Sequence, residues 1–334
     1  MPPVSIDLVI LIVILGLVFD YTNGFHDAAN VVSTVIATRV LAPLTAIILA
    51  SFLNMLGATQ ISGIAKTITT GLVSFEAATQ ITVLCALIGA IFWNFLTWYF
   101  GIPSSSSYAL IGGLLGASWI HEGFRVILWN GVFHKVVIPM FLSPLAGFLL
   151  GFLSLKGLNA LMKIPYFKRK EGIFAHLQVA SASLVALSHG LNDAQKSMAI
   201  ITLGLYAGGV IIEPHIPLWV IASCAIVMGL GTVSGGFRII RTVGFEITKL
   251  HPLQGFAAET SASCVILAAS FSGMPISSTH MIVGSVTGVG AAKGRSRVRW
   301  STGKKVLLAM LLTLPGAGGV AAVIYKIIDL FIHI

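Results

Sequence analysis

Residues 20–30, from Asp20 to Asn30, read D-Y-T-N-G-F-H-D-A-A-N and sit within an apolar run from near Ile6 to about Ala37. On a helix, Asp20, Asn23, Asp27 and Asn30 are spaced three, four and three residues apart and share one face. The flanks, V-I-L-I-V-I-L-G-L-V-F before and V-V-S-T-V-I-A after, suit lipid or a buried bundle. Carboxylates and amides facing hydrocarbon there would cost on the order of several kcal/mol each. They are expected to face a partner, a cavity or an ion. A lone Asn would be read as glue between helices. Four aligned polar groups point to function.

The arrangement returns. Ser188 to Ala199 reads S-H-G-L-N-D-A-Q-K-S-M-A inside a second apolar run, from about Leu177 to Ala207. A shift of 166 residues sets Gly24 on Gly190, Asp27 on Asp193, Asn23 on His189, His26 on Asn192 and Asn30 on Lys196. A second pair, G-I-P-S-S-S-S-Y from Gly101 and G-M-P-I-S-S-T-H from Gly273, aligns at a shift of 172. Two motifs recurring in order at nearly one offset describe a duplicated unit.

Composition fixes the class. Of 334 residues, 56% are hydrophobic and 9% charged, and the mean hydropathy is +0.96. This is an all-α polytopic membrane protein with the lipid membrane as its surroundings. The net charge of +9 is assigned to basic loops on one membrane face, with no nucleic acid implied. Cys85, Cys224 and Cys264 are isolated in apolar stretches and read as packing residues. The first apolar run holds the central motif, so no cleaved signal peptide is expected.

Apolar spans fall near 6–37, 41–64 and 132–155 in the first half and near 176–207, 217–236 and 305–331 in the second. Between them, 76–119 and 254–292 are interrupted at Pro103 and Pro275. The arm from Ser105 to Trp119 is too short for about 30 Å of hydrocarbon and reads as the return of a re-entrant hairpin. Three crossings plus a hairpin give an odd count. Residues 1–155 and 176–334 are therefore expected to be inverted repeats, joined by a basic cytoplasmic linker over 156–175. That topology gathers the Lys and Arg on one face. Of the 20, only Lys66, Arg125, Lys135, Lys326 and the intramembrane Lys196 lie elsewhere. The basic face is expected in the cytoplasm and both termini outside.

The hairpin tips carry the second signal. Pro103 and Pro275 break the helix just before a new one begins, and hydroxyl residues fill its first turn. A helix N-terminus offers unpaired N–H groups and a partial positive charge, which inside a membrane need a cap or an anion. One hydroxyl suffices for a cap. Each tip has three or more, among them Ser105, Ser106 and Ser107, and Ser277, Ser278 and Thr279. Brought together by inverted repeats beside the Asp-bearing helices, they would cradle a tetrahedral oxyanion, with carboxylates near to hold cations.

G-F-H-D-A-A-N, H-G-L-N-D-A-Q-K-S-M, G-I-P-S-S-S-S-Y and G-M-P-I-S-S-T-H together resemble the Pit family of inorganic phosphate transporters, in its bacterial low-affinity form, over essentially the whole chain. The resemblance implies a symporter, not an enzyme, that carries inorganic phosphate with a coupling cation, H+ or Na+, and needs no other cofactor. By motif position, phosphate would meet Ser105, Ser106, Ser107, Ser277, Ser278 and Thr279, with Asn192 and Lys196 beside them. Coupling would fall to Asp20, Asn23, His26, Asp27, Asn30 and Asp193, with sodium, if used, at Asp27, Asn30 and Asp193. Homo-oligomers are left open.

Sodium-coupled members carry G-A-N-D-V-A-N in both halves. Here His26 replaces the Asn before Asp27, and Lys196 replaces the final Asn of the second copy. An ammonium cannot ligate a cation and can fill the place of one, while His26 and His280 titrate near neutral pH. The proton is favoured. The rival readings are a carrier of sulfate, arsenate or a dicarboxylate, an intramembrane aspartyl protease using Asp27 and Asp193, and a channel. Serine-rich tips and an intramembrane Lys have no evident role in proteolysis. Two sealed tips are not a ring of one repeated residue.

Overall fold

The computed structural model describes residues 5–60, 63–74, 77–169 and 171–332. Among the described residues, twelve helices carry the fold. The first six are α1 (Ile6–Ala37), α2 (Pro43–Ala58), α3 (Ile64–Thr70), α4 (Gln80–Tyr99), α5 (Ser106–Glu122) and α6 (Trp129–Leu161). The next six are α7 (Ile173–Ala207), α8 (Leu218–Ser234), α9 (Phe237–Glu246), α10 (Pro252–Phe271), α11 (Ser278–Lys293) and α12 (Trp300–Ile332). The only β-contact among the described residues is an isolated bridge between Val73 and Ile127.

Apolar and polar faces of α1 are arranged inside out. Ile6, Ile10, Ile14 and Val18, four residues apart, form an exposed stripe that suits lipid. Asp20, Asn23, Asp27 and Asn30 are buried in the bundle. α6 and α12 show the same exposed apolar face, with Phe141, Leu145, Leu149 and Leu153 on one and Leu307, Leu308, Leu311 and Leu312 on the other. Five helices, α1, α4, α6, α7 and α12, are long and apolar enough to cross a membrane.

Each helix of the first series has its counterpart six places on, and the contacts are reciprocal. α1 packs on α8 and α7 on α2; α5 packs on α12 and α11 on α6; α3 packs on α7 and α9 on α1. Glycine permits the closest of these approaches. A Cβ on Gly112 of α5 would stand 2.2 Å from the Leu314 carbonyl of α12, and one on Gly284 of α11 would stand 2.4 Å from the Pro144 carbonyl of α6. Backbone fills the place of a side chain at both.

Two expected spans differ in extent. The apolar stretch 41–64 yields α2, which stops at Ala58 after 16 residues, a rise of about 24 Å and short of the hydrocarbon thickness. Residues 61 and 62 of that stretch lie outside the described ones. The stretch 217–236 yields α8, which breaks at Gly235 and Gly236 and bends by 62° into α9. Hydropathy alone does not see either end, because apolar residues continue past it. The two interrupted segments form the expected helical pairs, α4–α5 and α10–α11.

Candidate functional site

Both tips turn on a glycine with positive φ, Gly101 at +64° and Gly273 at +67°, a conformation that excludes most side chains. Threonines of the opposite half, on α9 and α3, hold these turns. Thr242 donates to the Gly101 carbonyl at 2.9 Å, and Thr67 donates to that of Gly273 at 2.7 Å. Ser105 then caps α5 by accepting from the Tyr108 N–H, and Ser277 caps α11 by accepting from the His280 N–H, each at 3.2 Å. The remaining tip hydroxyls are free to face the centre of the bundle.

There they meet the two motif helices. Ser106 Oγ lies 2.7 Å from Asp27 Oδ2 and 2.5 Å from Asn23 Oδ1, so its single proton is shared between two acceptors. Its counterpart Ser278 donates to Asp193 Oδ2 at 2.9 Å. Each tip also reaches the other half. Thr279 Oγ1 donates to Asp27 Oδ1 at 3.2 Å and accepts from Asn30 Nδ2 at 2.8 Å. Lys196 Nζ donates to Ser107 Oγ at 2.5 Å and to the Ile276 carbonyl at 2.8 Å, and pairs with Asp193 Oδ1. Lys196 is only 1% exposed. It is a built-in cation held by three oxygens.

His189 joins the carboxylates. Its Nε2 lies 3.0 Å from Asp193 Oδ2 and 3.9 Å from Asp27 Oδ2, while Nδ1 is 3.3 Å from Asn54 Oδ1. His26 Nδ1 is 2.9 Å from Asp27 Oδ1, and its Nε2 is 3.2 Å from Thr97 Oγ1. Asp27 and Asp193 thus have one ammonium and two imidazoles around them.

Of the residues expected at the site, Asn23, His26, Asp27, Asn30, Ser106, Ser107, Asp193, Lys196, Ser278 and Thr279 join one network. Ser105 and Ser277 sit at the tips as caps. Asn192 turns aside, its amide donating to Ser270 of α10 at 2.8 Å, as its counterpart His26 turns to Thr97 of α4. Asp20 is buried apart from the network, with neither oxygen hydrogen-bonded among the described residues. His189 is the residue that motif reading passed over. The repeat sets it opposite Asn23 and four residues before Asp193, which was the available signal.

Asp27, His189 and Asp193 offer ligand atoms within 4.8 Å of one another. The set suits sodium poorly. One donor is a nitrogen, a hard cation prefers oxygens, and the Lys196 ammonium already pairs with Asp193.

Hydroxyl donors and compensated charges, buried where membrane-length helices and two broken ones meet, mark a multi-pass membrane transporter of a polar solute and not an enzyme. The His189 imidazole stands beside both aspartates. The chain belongs to the phosphate transporter family, whose model matches residues 23–164 and again residues 159–321. It is a protein of the cell membrane. Among its relatives is a Bacillus subtilis protein named a probable low-affinity inorganic phosphate transporter, 41% identical over 326 residues, which cover 97% of this chain and 98% of the relative. The protein of the same name in Rhizobium meliloti is 42% identical over 325 residues, covering 97% of each chain. A solved structure described as the sodium-dependent phosphate transporter superposes with a TM-score of 0.88 at 26% identity, covering 97% of this chain and all of the other.

Proposed function

We propose that the protein is a symporter of inorganic phosphate and protons, with the anion held between the two hairpin tips. The convergence of two helix N-termini on Lys196 carries this reading. First-turn N–H groups of α5 and α11 have no partner within their own helices. Ser106, Ser107, Ser278 and Thr279 add hydroxyls, and Lys196 adds the charge. Phosphate entering there competes with Asp27 and Asp193 for the same donors. Hydrogen phosphate also has a proton to donate, which a carboxylate accepts and which sulfate lacks. That difference favours phosphate over other tetrahedral oxyanions.

The halves 1–155 and 176–334 would lie inverted in the membrane, the tips entering from opposite faces and the segment 156–175 in the cytoplasm. Reciprocal packing between the two series of helices supports a two-fold relation. Rocking one half against the other would then expose the tips to each side in turn. Proton coupling is supported by the ammonium lodged where a cation would sit and by His26 and His189 against the aspartates. Sodium, which the solved relative depends on by its description, is the alternative. Accumulation of radiolabelled phosphate in proteoliposomes under an inward pH gradient, unaffected by sodium and not competed by sulfate, is the expected result. Accumulation that follows sodium at fixed pH would overturn the proton assignment.

A further inference from the structure

The bundle buries a carboxylate outside the hydrogen-bond network of the anion site in two places and treats them in opposite ways. Glu259 of α10 receives Thr34 Oγ1 at 2.6 Å, Gln178 Nε2 at 2.9 Å and Ser181 Oγ at 2.5 Å. Three donors meet that carboxylate. Asp20 of α1 is equally buried, yet neither of its oxygens has a hydrogen-bond partner among the described residues. Ser197 of α7 stands across from it, with its own hydroxyl also unpartnered. The ionisable groups that bear on Asp20 are His189 and Asp193 of α7 and the Cys224 thiol of α8, and none is hydrogen-bonded to it.

An ionised carboxylate served by one hydroxyl at most and paired directly with no cation is expensive inside a bundle, whereas the neutral acid is tolerated. The acid's O–H has an acceptor at hand in Ser197. Sodium does not fit, because one hydroxyl and a thiol are no cage for a hard cation. A proton needs no cage. Asp27 and Asp193 are poorer carriers, since protonating either breaks bonds to Ser106, Ser278 or Thr279 and weakens contacts with His26, His189 or Lys196. Asp20 can change its protonation with none of these disturbed. It is seven residues, about 10 Å, along α1 from Asp27, so the same helix bears both sites. The second half has no equivalent, because the repeat places buried Ala186 there.

We infer that Asp20 is the residue that carries the coupling proton, apart from the phosphate site. The inference rests on the reading of the protein as a phosphate symporter. The carboxylate binds a proton from external water while the bundle is open outward, crosses the cycle as the acid, and returns the proton to cytoplasmic water. Phosphate is held at the level of Asp27, about 10 Å further along the same helix.

The test uses the full chain in proteoliposomes with two measurements, phosphate–phosphate exchange without a gradient and phosphate accumulation driven by a pH gradient. Asp20→Asn replaces the neutral acid with its neutral isostere. It is expected to keep wild-type exchange while accumulation falls to the level seen without a pH gradient, and Asp20→Glu is expected to restore accumulation. Wild-type accumulation in Asp20→Asn would overturn the inference. So would loss of exchange in that variant, since a neutral side chain should be tolerated in every step of exchange. Absence of phosphate exchange in the wild-type chain would instead overturn the phosphate reading beneath it.

Discussion

Lys196 donates to Ser107 as Asn30 donates to Thr279, each reaching from the motif helix of one half to the hairpin tip of the other. The pairs are equivalent under the repeat, Asn30 aligning with Lys196 and Ser107 with Thr279. Only the chemistry differs. One crossing is a neutral amide–hydroxyl bond, and the other brings a full positive charge to the same geometric place. Two halves of one design thus meet in a site that is symmetric in shape and asymmetric in charge.

Ser106 and Ser278 are where that shape meets the anion. A hydroxyl donating to a charged oxyanion contributes about 1.5–3 kcal/mol. Ser106→Ala and Ser278→Ala are each expected to weaken phosphate binding by about 10- to 100-fold, with little change in thermal stability. Titration of phosphate into the purified variants reads the first effect and a melting curve the second. Unchanged affinity in both would leave the tips as caps and no more.

Packing at the tips' return helices is equally open to test. A Cβ at Gly284 would stand 2.4 Å from the Pro144 carbonyl, and backbone there has little room to yield. Gly284→Ala should destabilise by about 1–3 kcal/mol, as overpacking does. Gly319→Ala, where a Cβ would meet nothing within 4 Å, serves as the control and should be neutral or slightly stabilising. The comparison is made on melting temperatures in one detergent.

Much of this was legible in the residues. α1 runs over the span its apolar flanks mark, Ile6 to Ala37, because nothing in the run breaks a helix. The tips were legible because Pro103 and Pro275 stop one helix and serines begin the next. His189 was not, since whether an imidazole on α7 meets an aspartate on α1 depends on how two helices pack, and no spacing within one helix states that. Asp20 shares a helical face with Asp27, yet seven residues along the axis carry it out of the tips' reach. Asn192 is adjacent in sequence to Asp193, and adjacency on a helix puts it on a different face, towards Ser270.

Orientation in the membrane is predicted from charge. The segments 156–170 and 293–305 hold Lys156, Lys163, Lys168, Arg169 and Lys170, and Lys293, Arg295, Arg297, Arg299, Lys304 and Lys305. Both are expected on the cytoplasmic face, with the termini outside. In a chain cleared of Cys85, Cys224 and Cys264, Lys168→Cys should resist a membrane-impermeant thiol reagent applied to intact cells and react once the membrane is opened. Labelling from outside would reverse the orientation and with it the inverted arrangement of the halves.

The charge asymmetry of the site leads to the sharpest prediction. Lys196 Nζ is held by the Ser107 hydroxyl, the Ile276 carbonyl and Asp193 Oδ1, a set of oxygens such as a hard cation would choose. Removing the ammonium leaves Asp193 with Ser278 and His189 alone, and breaking a buried pair costs about 3–5 kcal/mol. Lys196→Asn leaves an amide able to reach Ser107 as Asn30 reaches Thr279, and it frees the remaining oxygens. The variant is therefore expected to lose stability and phosphate uptake in potassium buffer and to regain both when sodium replaces potassium. The wild-type protein should be indifferent to the exchange of the two ions. Uptake by proteoliposomes and melting temperature, each measured in sodium and in potassium, check the two halves of the forecast. A Lys196→Asn protein that behaves alike in both ions would mean that the ammonium serves the anion alone and stands in for no cation.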